Sequence, residues 1–138
     1  MELAKRLAAA KGLRWRRGMR STKGQTFIAH ADDGDAAWIE VEDDGCDWLR
    51  VAGKVPDLAD AATIGCIEEQ AREVWDGLGY RVRLEEVTYD TAGASPTGNF
   101  RLYITERLGR LDFDPLPPVL PRGEAWALCL LAGLERAA

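Results

Sequence analysis

The sequence predicts an α+β fold: a mostly antiparallel sheet of about five strands with helices packed on one face, in the order α-β-β-β-α-β-β-α. Three patterns carry this expectation. Between residues 26 and 51, three short β-prone runs are separated by two turns that contain Asp-Gly, at Asp33-Gly34 and Asp44-Gly45, the signature of a β-meander. From Ala61 to Asp76, apolar residues recur every three or four positions, the period of one helix face. The runs Tyr80–Leu84 and Phe100–Ile104 both alternate apolar residues with polar ones, and both carry Arg in second place, so they read as paired strands with one buried face.

Taken in order, Glu2–Lys11 reads as a short helix, with Leu3, Leu7 and Ala10 one or two turns apart and Gly12 as its stop. Arg14–Arg20 alternates bulky apolar and cationic groups without helical spacing, which suits an extended segment entering the sheet. Thr26–His30, Trp38–Glu42 and Trp48–Val51 form the meander. Ile39 and Val41 fall on one side of the middle strand, with Glu40 and Glu42 on the other. Asp60 is placed to cap the free amides of the helix that begins at Ala61. Ile64, Ile67, Ala71, Val74 and Leu78 are its apolar stripe, and Gly77 and Gly79 close it. Asp90–Gly98, with two glycines after Asp90 and Ser95-Pro96, is expected to be a long hairpin loop. Asp114–Pro121 holds four of the six prolines and reads as an extended connector. A final, largely buried helix spans about Gly123–Arg136.

The bounds on function come from composition. A chain of 138 residues with 46% hydrophobic and 30% charged content is expected to fold as a single domain, residues 1–138, with one core. No run reaches the roughly 18 apolar residues of a membrane span. The apolar stretch after Lys5 and Arg6 is too short for a secretory signal. The expected setting is therefore the cytoplasm, away from membranes. Cys46, Cys66 and Cys129 are odd in number and lack CxxC spacing, which argues against a disulfide framework or a structural zinc site. Cys66 and Cys129 sit in apolar helical patterns and read as small hydrophobes, whereas Cys46 lies in an acidic turn that disfavours a thiolate.

Charge is distributed unevenly. Residues 1–24 carry +7, residues 25–49 carry −8 with no Lys or Arg, and the remainder carries −4, for a net of −5. The two opposed blocks either face each other in the fold or form surface patches that steer partners.

The search for chemistry finds little. His30 is the only histidine, so a multi-histidine metal site is excluded. Ser21 and Ser95 sit in neither GxSxG nor SxxK, and no GxGxxG or GxxxxGKS phosphate loop occurs. Asp32, Asp33 and Asp35, like Asp43, Asp44 and Asp47, are hard oxygen donors, but their spacing does not match a calcium loop and hairpin turns use Asp for backbone reasons alone. The expectation is a protein without catalytic residues, bound metal or cofactor.

Two segments remain as candidate surfaces. Arg14, Trp15, Arg16, Arg17 and Arg20 combine cations with an aromatic ring, as single-strand nucleic-acid binders do. The competing reading puts Trp15 and Met19 in the core and pairs the arginines with the acidic meander. Of the five tryptophans, Trp75 and Trp126 lie in helical patterns and are expected in the core. Trp38 and Trp48 fall on neighbouring strands on the side of Glu40, Glu42 and Arg50. If that side is open, they mark a binding surface.

Three stretches carry a resemblance: Gly12-Leu13-Arg14-Trp15 leading to Gly18-Met19, Pro56–Cys66 with Arg72-Glu73-Val74-Trp75, and the Glu124–Ala138 helix. In these the chain resembles a group of small uncharacterised proteins encoded by bacteriophages, prophages and other mobile elements. It departs from their pattern at Ala61, where they favour Pro, and at Arg16-Arg17, where they carry Met-Pro. The resemblance implies a mobile-element setting and attaches no activity. The leading expectation is a non-enzymatic interaction module that binds a host or phage protein through Asp32, Asp33, Asp35, Trp38, Asp43, Asp44 and Trp48. Inhibition of a host defence system is one form of this. The alternative is a small nucleic-acid-binding accessory protein that uses Arg14–Arg20.

Overall fold

A computed structural model describes residues 2–30, 36–41, 45–50, 54–87, 89–90, 93–94, 99–106, 109–110 and 119–138. The order is α1 (Glu2–Ala9), β1 (Thr26–His30), β2 (Ala36–Val41), β3 (Gly45–Arg50), α2 (Ala61–Gly77), β4 (Tyr80–Glu86), β5 (Tyr89–Asp90), β6 (Gly93–Ala94), β7 (Asn99–Glu106), β8 (Gly109–Arg110), β9 (Leu120–Pro121) and α3 (Arg122–Ala137). The α+β class and the order of its long elements match the expectation. The single sheet of about five strands does not. The strands form separate antiparallel ladders: β1-β2-β3, then β4-β7-β8 with β9 also on β7, and the short β5-β6 pair. Alternation in a sequence reports which residues are extended and which face is buried, but not which edges share hydrogen bonds. Here the 17-residue α2 lies between β3 and β4 in the chain, and the two larger ladders contribute residues to one core cluster.

That core joins all three helices to both larger ladders. Leu7, Met19, Phe27, Ile39, Ile67, Trp75, Val82, Ile104, Trp126 and Leu130 are buried in one cluster. α1 buries Ala4 and Leu7 and ends at Ala9, two residues earlier than its composition suggests. A turn bond from Ala10 N to the Leu7 carbonyl tightens its last turn, and Gly12 then takes φ +103°, a left-handed conformation open to glycine.

α2 begins as expected at Asp60, whose Oδ2 accepts from Thr63 N at 2.9 Å and from Thr63 Oγ1 at 2.8 Å. Its buried face is Thr63, Ile67, Gln70, Ala71 and Trp75, whereas Ile64, Val74 and Leu78 are half-buried. Two polar residues therefore occupy the centre of the stripe. Gln70 forms a two-way clamp on the Arg14 backbone, accepting from Arg14 N at 3.0 Å and donating to Arg14 O at 2.6 Å. Thr63 Oγ1 accepts from Arg20 N at 2.8 Å. Burial is tolerated because these polar atoms are paired. The basic segment is thus docked along α2 by its own backbone. It turns at Gly18 and joins the meander through backbone bonds from Gly18 N to the Phe27 carbonyl and from Phe27 N to the Met19 carbonyl, with a bridge of Arg20 to Thr26, rather than as a continuous extended strand.

β4 and β7 pair over seven residues, with Val82 opposite Ile104 and Leu84 opposite Leu102, as their matching alternation suggests. β8 and β9 pair with opposite ends of β7. Within the expected Asp90–Gly98 loop, Asp90 pairs with Gly93, while 91–92 and 95–98 lie outside the described residues. Of the proline-rich connector, 114–118 lie outside them too, and its end, Leu120–Pro121, pairs with Asn99 and Phe100. α3 packs against α2. Trp75 Nε1 donates to the Cys129 carbonyl at 2.9 Å, and the Trp75 ring meets Tyr80 edge-on, with centroids 5.5 Å apart. Trp75 and Trp126 are core residues, as expected, each about 1% exposed.

Candidate functional site

The meander is held together by cross-strand register over β1, β2 and β3. β1-β2 pairing sets Phe27 opposite Ile39, and both are buried, so this face looks into the core. The next position along β2 sets Trp38 directly opposite Trp48, with Glu40 opposite Cys46 and Ala36 opposite Arg50. Trp38 and Trp48 are thus register partners at positions that alternate with Ile39 along the strands. Sequence alternation suggests a shared side for the two, and the register makes their positions direct neighbours. Asp32, Asp33, Asp35, Asp43 and Asp44 lie outside the described residues. No three His, Cys, Asp or Glu side chains gather as a metal site among the described residues.

The basic segment divides. Trp15 is buried, 8% exposed, with its ring 6.5 Å from that of Phe27, and Met19 is fully buried. A base-stacking role needs an open aromatic face, which Trp15 in the core does not offer. Arg16 Nη2 pairs with Glu73 at 2.6 Å and Nη1 with Glu69 at 3.4 Å. That hydrogen bond raises the guanidinium's already high pKa and holds the Glu73 carboxyl below the usual carboxylate range. Arg16 is thus paired with α2, whereas the sequence suggests the meander as the partner of these arginines. Arg14 and Arg17 are exposed and Arg20 is half-buried.

Neither Cys66 nor Cys129 is an activated nucleophile. Burial pushes the Cys129 thiol up to about 12. Burial, helped by Glu69, also raises that of Cys66, which is half-buried.

A third surface has no sequence signal. Between α2, the outer edge of β4 and the start of α3 runs a cleft of about 490 Å³ lined by Glu68, Arg72, Leu84, Phe100, Arg122 and Trp126 among others. A second of about 360 Å³ continues past Arg72 toward Asp76 and Tyr80. Arg72 divides them. Its Nη1 donates to the Val82 carbonyl at 2.9 Å, its Nη2 pairs with Glu68 at 3.2 Å, and its guanidinium lies 4.9 Å from the centre of the Trp126 ring. Arg122 lies over Phe100 at 5.8 Å. Arginine at helical spacing from Glu68 reads only as a surface pair, and its reach to β4 requires the fold.

No protein-family model matches the chain, and no curated protein or solved structure matches it. Among the described residues, no helix is long and apolar enough to cross a membrane.

Proposed function

We propose that the chain is a non-enzymatic protein-interaction module that binds a partner protein through the β1–β3 meander. The observation that carries this reading is the direct cross-strand pairing of Trp38 with Trp48, at strand positions that alternate with buried Ile39. The segment's −8 block supports it. Two adjacent tryptophans offer a compact aromatic anchor of the kind that dominates interface energetics. The aspartates that flank β2 in the chain, Asp32, Asp33 and Asp35 before it and Asp43 and Asp44 after it, supply long-range attraction to a basic partner surface. A host or phage protein is the partner class that the mobile-element resemblance suggests. Occupation of a host-defence surface that otherwise meets nucleic acid fits the charge.

The test is substitution of Asp32, Asp33, Asp43 and Asp44 together by Asn, which keeps side-chain size while removing four charges. Affinity for a captured partner should fall at least about tenfold at low salt, and the dependence of affinity on ionic strength should flatten. Unchanged affinity and an unchanged salt slope would contradict the proposal.

A further inference from the structure

β4 pairs with β7 along one edge, and among the described residues no strand pairs with its other edge. Two hydrogen bonds fix which of its backbone groups face outward. Val87 N donates to the Asn99 carbonyl of β7, so in an antiparallel ladder the odd-numbered residues Arg81, Arg83 and Glu85 bond to β7. Arg72 of α2 donates to the Val82 carbonyl, placing the even-numbered groups on the outer edge. The two clefts follow this edge on either side of Arg72 and are floored by Val82, Leu84, Phe100 and Trp126, so α2 leaves the edge accessible.

The sequence of this edge is complementary to itself. An antiparallel partner strand must pair outward-facing groups with outward-facing groups, which limits a twofold arrangement of two β4 strands to a few registers. Centred on Val82, the pairing sets Arg81 against Arg83. Centred on Arg83, it places that arginine opposite its own copy. Like charges directly opposite are destabilising in both cases. Centred on Leu84, it sets Leu84 against Leu84 in a hydrogen-bonded pair. Arg83 then faces Glu85 of the other copy, twice, at the non-hydrogen-bonded positions where side chains approach most closely. Arg83 and Glu85 already form an exposed pair at 2.8 Å within one chain, so the dimer closes a ring of four alternating charges. Val82 falls opposite Glu86, and its carbonyl keeps one lone pair for Arg72 and offers the other to the partner strand.

We infer that the chain forms a twofold homodimer by β4–β4 edge pairing centred on Leu84, giving a continuous β7-β4-β4-β7 sheet. Sedimentation of the full chain from about 1 to about 500 µM should show concentration-dependent dimerisation. Glu85→Arg and Arg83→Glu, each alone, should weaken it at least about tenfold by placing like charges opposite. An equimolar mixture of the two variants should restore a dimer, because each then faces its complement. Hydrogen exchange on the unmodified chain gives a readout free of folding effects. Protection of the Leu84 amide should rise with concentration, while the β7-bonded amides of Arg83 and Glu85 stay constant. A chain that stays monomeric across this range, a dimer indifferent to both charge reversals, or Leu84 exchange independent of concentration would overturn the inference.

Discussion

Gly123→Ala should destabilise the protein by about 3 kcal/mol or more, the upper range for overpacking a close-fitted site. A Cβ at this position would lie 1.8 Å from the Leu58 carbonyl oxygen and 2.8 Å from its carbon. The obstacle is backbone, in the turn that leads to the Asp60 cap of α2, so no side chain can rotate away. Relief requires α3 to move from the α2 entry. That shift would also loosen Arg122 from Glu68, 3.9 Å away. Urea denaturation checks it: the midpoint should fall sharply with little change in slope. Gly65 is the internal control, since a Cβ there meets nothing within 4 Å and it sits on an exposed part of α2. Gly65→Ala should stabilise by about 0.5–1 kcal/mol, because alanine favours the helix.

Trp75→Ala should cost about 3–5 kcal/mol, the range for truncating a large buried aromatic. The ring is 1% exposed, fills the α2–α3 seam, and stands edge-on to Tyr80. Its Nε1 would lie 2.8 Å from a Cβ on Gly133, so glycine at 133 is what lets the indole reach the Cys129 carbonyl. Trp75→Phe should cost less, about 2 kcal/mol, from a lost hydrogen bond and a small void. The two variants separate further in thiol chemistry. Cys129 is fully buried and its thiol is pushed up to about 12, so it resists a thiol reagent in the folded protein. Its labelling should accelerate strongly in Trp75→Ala and only modestly in Trp75→Phe. A raised thiol pKa stabilises the fold fully below the unfolded cysteine value near 8.5, and that contribution is lost as pH rises toward 12.

What the sequence discloses here is local order, and what it hides is long-range pairing. The extent of α2 with Ile67 and Ala71 of its buried face, the Asp60 cap, the alternation of β4 and β7 and the two core tryptophans all follow from short-range sequence patterns. Gln70 and Thr63 do not. Their burial depends on backbone groups at Arg14 and Arg20, 56 and 43 residues away, and nothing near them in the chain announces it. The same holds for Arg72, whose Glu68 partner is visible at helical spacing but whose Val82 and Trp126 contacts are not. Trp15 admits two readings on paper, stacked on a base or packed on the core, and its contact with Phe27 decides for the core. The meander's faces are legible from alternation, whereas the Trp38–Trp48 pairing depends on register, which the turn residues alone leave open.

The central claim is that the paired tryptophans of the meander hold a protein partner. Affinity capture from cell lysate, with and without nuclease, should compare the unmodified chain with Trp38→Ala/Trp48→Ala. The account predicts a specific protein that survives nuclease and disappears with the double variant, while both chains remain folded by circular dichroism. Recovery that is lost on nuclease treatment, or a partner retained equally by the double variant, would contradict it.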